Sequence, residues 1–187
     1  LVVLPEDDPG HPVVATTDPE EITSRLAARG VAFEQWEVRA LAAGDDVLAA
    51  YAAEIDRLTA SDGYVTVDVA RLHPDASDPA WASKAAEARH KFLEEHTHAD
   101  GEVRFFVEGR GAFYLRLDGG VHIVVCEAGD LISVPKETRH WFDMGTNPSF
   151  TAVRFFLEDE GWVGKFTGDP IASRFPTFDE LVAPAAV

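Results

Sequence analysis

The chain of 187 residues contains one cysteine and one methionine, and its 16 Lys and Arg are outnumbered about two to one by 33 Asp and Glu. A lone thiol, Cys126, cannot close an internal disulfide, so nothing ties the fold to an oxidising compartment. Cys126 lies in the apolar run VHIVVC and reads as a buried structural thiol. No apolar run approaches the roughly 20 residues that span a bilayer, which argues against a membrane protein. The first residues, LVVLPEDDPGH, have no basic flank and no long apolar segment, so they do not read as a secretory signal, and a cytoplasmic address is expected. A net charge of −17 with no clustered basic stripe argues against nucleic acid as a partner. The acidic side chains are interspersed with apolar ones, as on an ordinary solvated surface. The only Asn-x-Ser triplet, Asn147-Pro148-Ser149, is disqualified as a glycosylation acceptor by its proline. Ser133 lacks the context of a nucleophile elbow, so a Ser-His-Asp hydrolase gains no support. A monomer is expected.

What is present is an ordinary globular composition, 46% hydrophobic, in a chain long enough for a core without staples. One domain is expected over 1–187. Its first part, 1–90, reads as mainly helical. Asp18-Pro19-Glu20-Glu21 offers an N-cap, a proline at the first helical position and an acidic first turn, and Gly30 is placed to end that helix. VAFEQWEV (31–38) suits a strand. After Asp45 and Asp46, the residues Val47, Tyr51, Ile55 and Leu58 recur at helical spacing, and Asp78-Pro79 opens a third helix. From Lys91 to Leu157 the chain changes to short β-like runs: KFLEEHTH, EVRFFVEG, AFYLRL, VHIVVC, LISVP, HWFDM and FTAVRFFL. Turn signals separate them, Asp118-Gly119 being a strong hairpin signal. Such spacing predicts a sandwich or small barrel, so the fold class is mainly β with α. The tail, 158–187, carries Trp162 and three phenylalanines suited to pinning it onto the barrel.

The chemistry concentrates in HTHADGE, residues 96–102. Alternation along a strand points His96 and His98 the same way, and an antiparallel return after Asp100-Gly101 can bring Glu102 beside them. Glu102, Arg104, Phe106 and Glu108 would then share a face. His140, after the strand LISVP, is a fourth candidate. Three imidazoles and a carboxylate suit a divalent transition metal, although an H-x-H pair on a strand also occurs as a surface pair. Arg104 can stabilise negative charge on a ligand or simply pair with Glu108. Arg154 is either a second cation of the site or an ordinary ion pair. Phe92, Phe142 and Trp162 are candidates for an apolar slot or for core. His11, His73, His90 and His122 have no partner pattern and read as structural or exposed.

Two extended patterns run through these residues: H-x-H-x3-E-x6-G on His96, His98, Glu102 and Gly109, and G-x5-P-x4-H on Gly129, Pro135 and His140. Together they resemble the two motifs of the cupin superfamily, small β-barrels (double-stranded β-helices) that hold a metal in the barrel mouth. The chain departs from the pattern at His90 and Glu137, where cupins prefer glycine, and at Met144, where they prefer asparagine. A closer resemblance, to the acireductone dioxygenases of methionine salvage, covers most of the chain. It runs through KFLEEHTHADGEVRFFVEGRGAFYLRL, GDLISVP and HWFDMG, preceded by EIDRL and RLHP, with EVRFFVEG the specific part. The resemblance implies that His96, His98, Glu102 and His140 bind Fe2+ or Ni2+, one per chain, and that Arg104 favours the ionised substrate. It also implies two outcomes for the acireductone and O2: formate and the 2-keto acid precursor of methionine with iron, or formate, carbon monoxide and 3-methylthiopropanoate with nickel. The alternatives are another cupin metalloenzyme, a dioxygenase or isomerase, and a non-enzymatic cupin that binds a small ligand.

Overall fold

A computed structural model describes residues 1–42, 44–157 and 163–183. Its frame is two antiparallel sheets that share one long strand. The N-terminal part supplies β1 (Val2–Pro5), β2 (Val14–Ala15), α1 (Pro19–Ala27), β3 (Ala32–Gln35), α2 (Val47–Ala50), α3 (Ala52–Asp62), β4 (Thr66–Leu72) and α4 (Trp81–His90). Then come β5 (His96–Thr97), β6 (Glu102–Leu117), β7 (Gly120–Glu127), β8 (Asp130–Val134), β9 (His140–Asp143), β10 (Phe150–Phe156) and β11 (Lys165–Phe166). A 3-10 turn (Pro170–Arg174) and α5 (Phe178–Val182) end the described chain. The first sheet has the order β11-β5-β9-β6-β7-β1-β2, and the second runs β4-β10-β6-β8-β3. This is the mainly β architecture with added helices that the strand spacing predicts.

EVRFFVEG and AFYLRL, read from the sequence as separate runs, form one strand, β6. Its first half pairs with β8 and β10 and its second half with β7 and β9, so it passes from one sheet into the other. Gly109 sits at the crossing with φ of 71°, and a Cβ there would lie 1.9 Å from the Ser149 carbonyl oxygen. Only glycine fits such a backbone and such an approach. Just before it, the register with β10 slips: Ala152 faces Phe106 but Thr151 faces Glu108, leaving Val107 as a bulge. The slip corrects one expectation. Glu102, Arg104 and Phe106 do point inward, but Glu108 is turned to the outer surface, where it meets His73 and Thr151 rather than Arg104. Beyond the crossing the inner positions have become odd-numbered, Phe113 and Leu115.

Three apolar clusters follow from this alternation. Between the sheets lie Phe106, Phe113, Leu115, Ile132, Phe142 and Cys126, with Ile22 and Leu26 of α1 closing one side. The outer face of the second sheet, Val103, Phe105, Val153 and Phe155, is covered by Val47, Tyr51, Ile55 and Leu58 of α2 and α3. The outer face of the first sheet, Tyr114, Ile123 and Trp141, is covered by Ile171, Phe175 and Phe178 of the tail. Each such side chain contributes about 1.5–3 kcal/mol when fully buried. Thus two of the three tail phenylalanines pin it as expected, whereas Phe166 is exposed.

Other differences are local. The helix expected after Asp46 breaks at Tyr51 into α2 and α3. The run KFLEEHTH is extended only at His96 and Thr97. The third helix starts at Trp81, three residues after Asp78, whose carboxylate instead accepts from the Ala80 N–H. Asp118 and Gly119 adopt φ of 51° and 78°, the left-handed pair that a two-residue hairpin turn requires.

Candidate metal centre

The four residues His96, His98, Glu102 and His140 arrive from β5, the turn after it, β6 and β9. One ligand atom from each lies within 4.8 Å of all the others, and all four side chains are buried. Register explains the convergence: His96 is paired directly with His140 across β5 and β9, so both imidazoles leave the sheet on one face. Glu102 starts β6 opposite Val134 of β8, which brings it under the histidines from the second sheet. Ring centroids are 4.6 Å apart for His96 and His140, 4.9 Å for His96 and His98, and 5.2 Å for His98 and His140.

The outward nitrogens fix what the inward ones can do. Nδ1 of His96 lies 2.7 Å from the Glu94 carbonyl oxygen, Nδ1 of His140 lies 2.7 Å from that of Thr138, and Nδ1 of His98 lies 3.1 Å from that of Val163. A carbonyl only accepts, so each Nδ1 carries the hydrogen and each Nε2 turns a lone pair to the centre. This is the arrangement that orients metal-binding histidines. Glu102 completes it: Oε2 stands 3.1 Å from His140 Nε2 and 3.2 Å from His98 Nε2, while Oε1 accepts from the Arg104 guanidinium at 2.7 Å. The donor set is three imidazoles and one carboxylate, which fits a divalent transition ion.

Electrostatics agree with the geometry. Burial and the neighbouring His140 push the His96 pKa down to about 4, so this ring is neutral and able to donate its lone pair at neutral pH. Burial alone would raise the Glu102 carboxyl, but the Arg104 guanidinium beside it outweighs burial and holds the group well below its ordinary range. At His98 burial opposes the charge while Glu102 favours it, and Glu102 prevails, so the ring is drawn upward. A proton and a metal compete for that nitrogen.

Arg104 is buried beside this cluster, its guanidinium 4.3 Å from the Phe142 ring centroid and 5.2 Å from that of Phe113. Phe142 packs in the core between the sheets, and its N–H donates to the Phe92 carbonyl at 2.9 Å; Phe92 is partly buried against the same core. Arg154 stands opposite Arg104 in the β10–β6 register but binds Asp68 with two hydrogen bonds of 2.8 and 2.6 Å. Trp162 lies outside the described residues. Sequence reading passed over two supports. Arg89 of α4 grips the buried Asp143 of β9 at 2.7 and 2.9 Å. Arg116 binds Glu6, Asp169 and the buried Glu95 that precedes His96. The carboxylate of Glu95 directly before His96 was the one sequence signal available for the latter.

The family model ARD/ARD′ matches residues 6–164. Acireductone dioxygenase 1 of Nocardia farcinica is 53% identical over 183 residues, covering 96% of this chain and 97% of its own. Acireductone dioxygenase of Saccharopolyspora erythraea is 50% identical over 186 residues, covering 98% and 97%. Among solved structures, an acireductone dioxygenase from Bacillus anthracis with a cadmium ion in its active centre superposes with a TM-score of 0.71 at 30% identity, covering 88% of this chain and 97% of that one.

Proposed function

Because the chain belongs to the ARD/ARD′ family, we propose that it cleaves the acireductone 1,2-dihydroxy-3-keto-5-methylthiopentene with O2, as a metal-dependent dioxygenase of methionine salvage. The observation that carries this reading is the convergence of the His96, His98, Glu102 and His140 ligand atoms within 4.8 Å. These four residues would hold divalent iron or nickel, which would supply Lewis acidity there. With iron bound, the expected products would be formate and 4-methylthio-2-oxobutanoate, and with nickel bound, formate, carbon monoxide and 3-methylthiopropanoate.

The chain's own residues divide the remaining work. His96, His98 and His140 each present a lone pair because a backbone carbonyl holds the other nitrogen. Glu102 splits its two oxygens between that cluster and Arg104. Arg104 stays cationic at neutral pH and lowers the cost of the ionised enediol, a stronger effect in a buried site than in water. Phe142 and Phe92 form the apolar wall for the methylthio end. Arg154 adds positive potential on the same face of the β10–β6 pair, with Asp68 as its counter-ion. The reading places a monomeric enzyme in the cytoplasm. Among the described residues no helix is long and apolar enough to cross a membrane.

The test is anaerobic mixing of iron-loaded and nickel-loaded protein with acireductone, followed by admission of oxygen. Oxygen uptake with formate release is expected for both, with carbon monoxide from the nickel form alone. No uptake with either metal would remove the assignment.

A further inference from the structure

Apart from the metal centre, a cleft of about 360 Å3 opens between α1, the β6–β7 hairpin and β1. Arg25 of α1 and Arg29 just past its end line it, together with His122 of β7 and Asp118 at the hairpin tip. Two arginines and an imidazole in one cleft are notable on a chain of net charge −17. His122 is 4% exposed, yet its Nδ1 has no hydrogen-bond partner among the described residues. Arg29 Nε is also buried without a hydrogen bond, although Asp118 Oδ2 approaches it to 2.9 Å. Arg29 is thus matched only by that carboxylate and His122 Nδ1 by nothing among the described residues, and a buried polar nitrogen left unmatched is costly, so the cleft suits an acceptor-rich guest.

The counter-ions already present are weakly held. Asp118, 69% exposed in its side chain, sits at a turn tip, and Glu21 pairs with Arg25 on the exposed face of α1. Exposed pairs of this kind contribute little, so an arriving anion can displace Asp118 at little cost. His122 itself is neutral at neutral pH, because burial and the nearby Arg29 push its pKa down to about 4. A neutral ring can place its hydrogen on either nitrogen, so Nδ1 can donate to an oxygen without a charge being created. The cleft adjoins the chemistry: His140, Leu115 and His122 are consecutive partners across the first sheet, on one face. Two strand spacings put His122 roughly 10 Å from His140.

We propose that this cleft is a small-oxyanion site, taking a carboxylate or phosphate group between Arg25, Arg29 and His122, with Asp118 as the displaceable counter-ion. The experiment is isothermal titration calorimetry of the metal-loaded protein with potassium phosphate and, separately, with potassium acetate, at an ionic strength fixed by KCl. Saturable binding of at least one anion is expected. It should weaken about tenfold or more in Arg29→Met and His122→Phe, and tighten in Asp118→Asn, which removes the competing carboxylate. Binding of phosphate alone identifies a phosphate-bearing ligand, and binding of acetate alone a carboxylate. Arg29→Met and Asp118→Asn lie at the edge of the fold and carry the test if His122→Phe does not fold. The proposal is overturned if neither anion binds saturably, or if binding is unchanged in Arg29→Met and Asp118→Asn, which would put the anion elsewhere, the metal included.

Discussion

Replacing Arg104 with methionine should destabilise the metal-free protein much more than the metal-loaded one. Arg104 and Glu102 are 4% exposed each and share a hydrogen bond of 2.7 Å. Breaking a buried pair by removing one partner costs about 3–5 kcal/mol, because the other charge is left uncompensated. Without the guanidinium, Glu102 loses the neighbour that does most to hold its carboxyl low, and its charged form becomes costlier in the buried site. In the metal-loaded protein the same carboxylate keeps a cation beside it. What is lost there is chiefly the contact of the guanidinium with the Phe142 and Phe113 rings, and methionine, a good partner for aromatic faces, recovers part of it.

The expected losses are therefore about 3 kcal/mol without metal and about 1 kcal/mol with it. Urea unfolding followed by circular dichroism can resolve these. With a slope of about 2.5 kcal/mol/M, the midpoint should fall by about 1.2 M in chelated protein and about 0.4 M in metal-loaded protein. Equal shifts in the two forms would refute the idea that Glu102 has two alternative sources of compensating charge. Oxygen uptake by the loaded variant should fall while its metal content holds, since Arg104 binds Glu102 on Oε1, whereas Oε2 is the oxygen beside the histidines.

His98→Ala and Glu102→Ala should each lower the bound metal well below one ion per chain, measured by elemental analysis after dialysis, because each removes one of four converging donors. Gly111→Ala should keep metal but impair turnover, since the new Cβ would meet the tip of the Phe142 ring at 2.4 Å and push it from beneath Arg104. Overpacking of this kind also costs about 1–3 kcal/mol, readable as a lower melting temperature. Glu137→Gly should stabilise by about 0.5–1 kcal/mol, because Glu137 holds φ of 60°, where a side chain is strained and glycine is not. An unchanged or lowered melting temperature would refute that last expectation.

That glutamate shows how far the sequence was readable. The cupin pattern prefers glycine at this position, and the structure shows why: the turn before His140 needs a left-handed residue whichever side chain occupies it. The departures at His90 and Met144 fall at the end of α4 and in the core between the sheets, away from the four donors. The metal-binding residues were legible because ligand chemistry restricts residue type as well as spacing. The hairpin at Asp118-Gly119 was legible because few residues tolerate its backbone. By contrast β4 was not singled out: its sequence, TVDVARL, alternates as a strand should, but its burial comes from β10 and from the helices, partners far along the chain. The misplaced Glu108 has the same origin. A strict two-residue period carries it inward, and only pairing with β10 creates the bulge that turns it out.

Non-local support also explains how a strand of two residues and the turn after it can hold two imidazoles in place. β5 by itself pairs through a single residue with β9. Its fixity comes from around it: the Glu137 N–H donates to the His98 carbonyl at 2.9 Å, and the Thr167 N–H donates to the Glu95 carbonyl at 3.0 Å. The buried Glu95 carboxylate accepts from Thr167 Oγ1 at 2.7 Å and from Arg116 at 3.2 Å. Arg116 then ties in Glu6 from the N-terminal segment and Asp169 from the tail. Three carboxylates on one guanidinium would repel one another on an open surface, and they are tolerable here because each anchors a different segment to one cation. The imidazoles are thus positioned by the first and last parts of the chain as much as by the strand that carries them. A site of this kind reads as four residues in sequence, but its geometry belongs to the closed fold.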